Sequence, residues 1–121
     1  MVAGFTLTKV VIVQSLELHE IETGRILSEY VAAQMHEHNV SVPLELLNCS
    51  NAEEFLGILR RLTADAVSHN EIPLVHVECH GSPTEGLEFE NGSTLAWPDV
   101  AAALLPLNLS TGFNLLTVFS A

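Results

Sequence analysis

His80 and Gly81 are the residues of this chain best placed to do chemistry. They follow Ile72-Pro-Leu-Val-His-Val-Glu-Cys79, a largely β-branched and apolar run. Histidine titrates near neutrality, so it can take up and return a proton at physiological pH. A glycine beside it lets the backbone approach a substrate and donate an amide proton to developing negative charge. In open parallel sheets, sites lie beyond the carboxyl ends of the strands. The other strand ends in this sequence are Ser15-Leu16, Cys49 and Ser120-Ala121. The third strand is the one that delivers an imidazole to such a place.

The neighbours of His80 offer further chemistry. His76, Glu78 and His80 are spaced by two, so they share one face of a strand, an arrangement that could hold zinc. No fourth ligand is evident. The simpler reading makes His76 and Glu78 a hydrogen-bonded polar pair under the helices, placed to orient His80. No metal and no cofactor are expected. Cys79 adjoins His80 but points to the opposite face, toward the core. Nothing in the spacing of Cys49 recommends it, and both thiols read as buried and inert. His36 and His38 are two apart on a helix end and do not share a face. His19 and His69 fall in loops, and all four of these histidines read as solvated. Trp97 reads as core packing at the start of a helix. Glu85, Glu88 and Glu90 read as a solvated hairpin, with Glu88 and Glu90 on one face. If they overhang the site, their negative charge would favour a basic substrate side chain.

The elements that must position these residues alternate. Lys9–Leu16 is an apolar run without polar alternation, the mark of a strand covered on both faces. From Thr23 to His38 the apolar residues Ile26, Leu27, Tyr30, Val31 and Met35 recur with helical spacing, predicting one buried face. Glu20 and Glu22 precede that helix, where its dipole favours negative charge. Val40–Leu47 is the second strand, and Pro43 assigns it to an edge. Ser50 with Glu53, or Asn51 with Glu54, would cap a second helix. Its buried face is Phe55, Leu56, Ile58, Leu59, Leu62 and Ala66, with Arg60 and Arg61 outward. His80-Gly-Ser-Pro83 reads as a loop after the third strand. Leu87–Leu95 reads as a hairpin around Asn91-Gly92. Pro98 suits the first turn of a third helix, ended by Pro106 and Asn108. Asn114–Ala121 is a fourth buried-type strand. The expected fold is α/β, a parallel sheet of order 2-1-3-4 with helices on both faces and a small β-hairpin outside it.

Composition limits what such a domain can do. The chain has 121 residues, of which 48% are apolar and 16% charged. That is one domain with enough apolar material for a core, and it excludes disorder by composition. No apolar run nears the roughly 20 residues of a membrane span. One lysine by residue 10 and no small-residue cleavage site argue against a signal peptide. Two cysteines make no disulfide framework, so a reducing cytoplasm is the expected setting. Fifteen acidic residues against four basic give a net charge of −11. Such a chain has little to offer a phosphate backbone, and no nucleic-acid partner is expected.

Taken together, Leu-Val-His-Val-Glu-Cys-His-Gly, then Gly-Leu-Glu-Phe-Glu-Asn-Gly-Ser-Thr-Leu, then a short helix, then Leu-Leu-Thr-Val-Phe-Ser-Ala resembles the CHAT peptidases of the caspase-like superfamily. The resemblance is one of motifs over residues 74–121 and of topology over 9–70. In that family a strand ends in His-Gly, a hairpin of the form Gly-Leu-x-Phe-x-Asn-Gly follows, and a later strand ends in Ser-Ala-Cys with the cysteine as nucleophile. The resemblance implies an incomplete three-layer caspase-like sandwich in which His80 is the catalytic histidine and the Gly81 amide helps hold the oxyanion. Ser120 and Ala121 match the two residues before the nucleophile. The departure is that the sequence stops at Ala121, where the family places that cysteine.

Three readings compete. The first is the histidine-bearing, N-terminal part of a cysteine endopeptidase. Its partners would be a peptide or protein substrate and the remaining C-terminal part of the domain, or a partner chain. The second is a catalytically incomplete scaffold or regulatory module that binds protein through an open sheet edge, with homo-oligomers a further outcome. The third, a flavodoxin-like nucleotide or receiver domain, is disfavoured. Gln14, Ser15 and Leu16 supply neither a glycine-rich phosphate loop nor an acidic cluster.

Overall fold

Valine and isoleucine dominate β1 (Lys9–Ser15), and Val11, Ile12 and Val13 are all buried, so both faces of this strand are covered. The computed structural model describes residues 6–120. After β1 come α1 (Thr23–Glu37), β2 (Leu44–Asn48), α2 (Ala52–His69) and β3 (Pro73–Ser82). Then follow β4 (Gly86–Glu88), β5 (Thr94–Ala96), α3 (Trp97–Ser110) and β6 (Leu116–Ser120). Strands β2, β1, β3 and β6 lie side by side and parallel, with Val10 opposite Leu44, Lys9 opposite Pro73 and Leu74 opposite Leu116. This is the expected parallel order, with β2 at an edge, although β2 starts at Leu44, after Pro43, rather than at Val40. Ala121, the last residue of the expected fourth strand, lies outside the described residues.

The main core lies between the sheet and two helices. Val11, Val13, Val75, Val77 and Cys79 on one sheet face meet Phe55, Leu59, Leu62 and Ala66 of α2 and Val100 and Leu107 of α3. Asn51 caps α2, its Oδ1 accepting from the Glu54 amide at 2.8 Å. Of the two caps the sequence allowed, this is the one formed. On the other face α1 approaches β1 closely at Gly24. A Cβ there would lie 2.8 Å from the Cβ of Gln14.

Four expectations are corrected. The apolar stripe of α1 is not wholly buried, since Ile26 and Tyr30 are more than half exposed. They share the helix side of Thr23, whose hydroxyl donates to Glu78 of β3, yet their side chains stay open to solvent. On that same sheet face Leu116 and Val118 of β6 are also exposed. Second, α3 does not stop at Pro106. Proline forfeits one helical hydrogen bond, but Leu107, fully buried, holds the next turn against the core. The helix runs to Ser110, and its end is tied by the Thr111 amide to the Leu107 carbonyl at 3.1 Å.

Third, His80, Gly81 and Ser82 are strand, not loop. They pair antiparallel with Glu88, Leu87 and Gly86 of β4. Their local Gly-Ser-Pro chemistry predicts a turn, but a hydrogen-bonding partner overrides it. Fourth, the hairpin is therefore not outside the sheet. Its connection is Glu90-Asn91-Gly92, closed by the Gly92 amide to the Phe89 carbonyl at 2.8 Å and the Phe89 amide to the Ser93 carbonyl at 2.8 Å. Gly92 has φ +87°, the positive value that this three-residue turn with a bulge requires. The tip docks over the ends of β1 and β2. The Glu90 amide donates to Ser15 Oγ at 2.9 Å, and the Asn91 amide to the Ser50 carbonyl at 3.0 Å.

Candidate functional site

The alternation along β3 sorts its side chains. Val75, Val77 and Cys79 are buried in the core, whereas His76, Glu78 and His80 share the opposite face. His76 Nε2 and Glu78 Oε1 are 2.6 Å apart, and the other Glu78 oxygen accepts from Thr23 Oγ1 at 2.9 Å. The polar pair is present, but it does not reach His80. Among the described residues, the donors of His76, Glu78 and His80 do not converge into a group that could hold a metal.

His80 instead meets Glu20, from the loop between β1 and α1, with Nε2 to Oε1 at 2.6 Å. A tight turn, Glu20 amide to Glu17 carbonyl at 2.9 Å, delivers that carboxylate. An ionised carboxylate only accepts, so His80 Nε2 carries the proton and Nδ1 is left free for other chemistry. Donating a hydrogen bond to Glu20 raises the pKa of His80, with the charges of Glu20, Glu88 and Glu17 acting in the same direction. The same bond lowers the pKa of Glu20. Glu20 is ionised above the ordinary carboxylate value of about 4.3, and His80 is protonated below the ordinary histidine value of about 6.5. Between these the ion pair is fully formed. It is lost as pH falls through the lowered Glu20 value or rises through the raised His80 value. The imidazole is 60% exposed, so water screens the pair and its worth to stability is small.

The two thiols are poor nucleophiles. Burial is the main cause in both, pushing Cys49 up to about 11 and Cys79 up to about 12. Both are in the core, as the sequence implied for Cys79 from strand alternation.

Beside His80 lies a cleft of about 340 Å³ bounded by Gly81, Ser82, Glu85, Leu87 and Glu88. The acidic cluster read from the sequence divides here. Glu88 is the register partner of His80, and Glu85 shares its cleft. Glu90 belongs to the turn and lines a separate hollow with Gln14 and Glu17, so Glu88 and Glu90 do not share a strand face. Trp97 is a structural residue, as expected. Its Nε1 donates to the Ser82 carbonyl at 2.8 Å and its ring meets Phe119 edge-on at 5.5 Å.

Sequence reasoning missed Glu20. A carboxylate just before α1 is explained locally by the helix dipole, and Glu20 is sixty positions from His80 in the chain. The ligating atoms of Glu17, His19 and Glu20 lie within 4.8 Å of one another. This grouping is an exposed turn whose Glu20 is already satisfied by His80, so it needs no ion. Comparison of the chain with protein-family models and with curated proteins finds no match.

Proposed function

We propose that this domain is the histidine-bearing part of a cysteine endopeptidase of the CHAT or caspase-like kind, with His80 as its proton-transfer residue. The β3–β6 register carries the reading. Glu78 is opposite Ser120, so a ladder continued by two residues brings the position after Ala121 opposite His80. In-register neighbours in parallel strands are about 4.8 Å apart with side chains on one face. That position is the one at which the motif of the family has its cysteine. A thiol there would pass its proton to His80. The thiolate would attack a peptide carbonyl, the Gly81 amide would help hold the oxyanion, and the imidazolium would protonate the leaving amine. Water would then hydrolyse the thioester. Glu85 and Glu88 on the cleft wall favour a basic substrate side chain.

The test is a chain extended from Ala121 into cysteine. It is expected to cleave members of a peptide library, and alkylation with iodoacetamide is expected to abolish the cleavage. Cleavage that survives alkylation would exclude a thiol mechanism.

The scaffold reading has one observation in its favour. Among the described residues β6 pairs on one side, with β3, and its Leu116 and Val118 are exposed. An open apolar edge recruits another strand. We expect this chain, on its own, to associate at micromolar concentration in sedimentation velocity. Val118→Lys is expected to shift it toward monomer. A monodisperse monomer for the parent chain would count against a partner at β6.

A further inference from the structure

We infer that Glu20 is the positioning residue of His80, fixing the ring so that Nδ1 is the nitrogen that exchanges a proton with the nucleophile. The inference deepens the peptidase reading and rests on it for the identity of that nucleophile. Its own support is geometric. A ring joined to the backbone through two rotatable bonds and 60% exposed is held only weakly by packing. The 2.6 Å contact with Glu20 Oε1 supplies the restraint. It comes from a different element, the β1–α1 loop, which is itself braced. The Thr23 amide donates to the Ile21 carbonyl at 2.8 Å, and Glu22 accepts from Gln14 at 3.2 Å and from Arg25 at 3.0 Å.

The contact also decides the protonation state. With Nε2–H directed at a carboxylate, Nδ1 is the lone-pair nitrogen of the neutral ring. Once Nδ1 takes a proton the ring is an imidazolium, and Glu20 is the counter-charge beside it. A thiol that gives up its proton to such a ring is held as thiolate nearer neutral pH. The other charged groups facing the ring are Glu88 from β4 and Glu17 from the same loop, while His19 faces Glu20. These act through the field alone, without a hydrogen bond to the imidazole.

Nitrogen-detected NMR of the His80 ring across pH tests this directly on the chain. The parent is expected to show a protonated Nε2 and a midpoint above the ordinary value. Glu20→Gln removes the charge and keeps an acceptor, so the midpoint should fall while the tautomer persists. Glu20→Ala removes both, so the two tautomers should mix. Glu17→Gln removes the same charge from the same turn and should move the midpoint less than either. In the chain extended into cysteine, Glu20→Ala should lower kcat by roughly 10-fold, less than loss of the base itself, with KM little changed and the acid limb of the pH profile shifted down. An active parent whose Glu20→Ala variant keeps the His80 midpoint, tautomer and kcat overturns the Glu20 assignment alone. A parent with no His80-dependent cleavage overturns the peptidase reading and the catalytic part of Glu20 together with it.

Discussion

His80→Ala is expected to reduce peptide hydrolysis by roughly 10²- to 10⁴-fold, the ordinary worth of a positioned general base. The fold should survive. The imidazole is largely exposed and its one polar partner, Glu20, can return to water. His76→Ala should do the reverse. Its ring is only 15% exposed and is bonded to Glu78. Removing it leaves a largely buried carboxylate with Thr23 alone, so the melting temperature should fall while the rate changes little. Both variants are made in the chain extended into cysteine, and each is measured by steady-state hydrolysis and thermal melting. His80→Ala cleaving at the parent rate would reject the dyad, because no other imidazole shares its place at the end of β3.

What the sequence made legible was what local pattern controls. The β-branched runs of β1 and β3 announced buried parallel strands, and the Asn51–Glu54 spacing announced the α2 cap. Right-handed crossovers then left one plausible strand order, and β6 takes its place beside β3 accordingly. The failures share a physical cause, which is contact between segments distant in the chain. His80–Ser82 looks like a turn until β4 pairs with it. Pro106 looks like a stop until Leu107 is seen in the core. Ile26 and Tyr30 obey the helical period, but period says which residues share a face and not how much sheet lies beneath it. The candidate site divided in the same way. His80 and Gly81 could be found from their position after a strand, and Cys79 could be set aside from alternation. Glu20 carried no such signal, because a carboxylate before a helix has a sufficient local explanation in the dipole.

Phe55→Ala is expected to be the most damaging single truncation for the region around the site, costing about 3–5 kcal/mol. Phe55 is fully buried in the first turn of α2, and its ring stands 5.4 Å from that of Phe89. Phe89 in turn begins the hairpin turn whose tip hydrogen-bonds to Ser15 and Ser50. The pair therefore joins α2 to the hairpin that places Glu88 and Leu87 beside His80 and Gly81. A loss of that size is a large share of the roughly 5–15 kcal/mol that holds a domain folded. It should appear in urea titrations followed through the fluorescence of Trp97, the one tryptophan of the chain. Hydrogen exchange should rise at the Phe89 and Gly92 amides more than in the β1–β3 ladder, because the cavity opens under the turn. Ile26→Ala is the contrast. That side chain is 52% exposed, and a surface truncation of this kind should change stability by no more than about 0.5 kcal/mol. A Phe55→Ala protein that unfolds at the parent urea midpoint would mean that the hairpin is held by its backbone hydrogen bonds alone, and that the aromatic pair contributes nothing to the shape of the cleft.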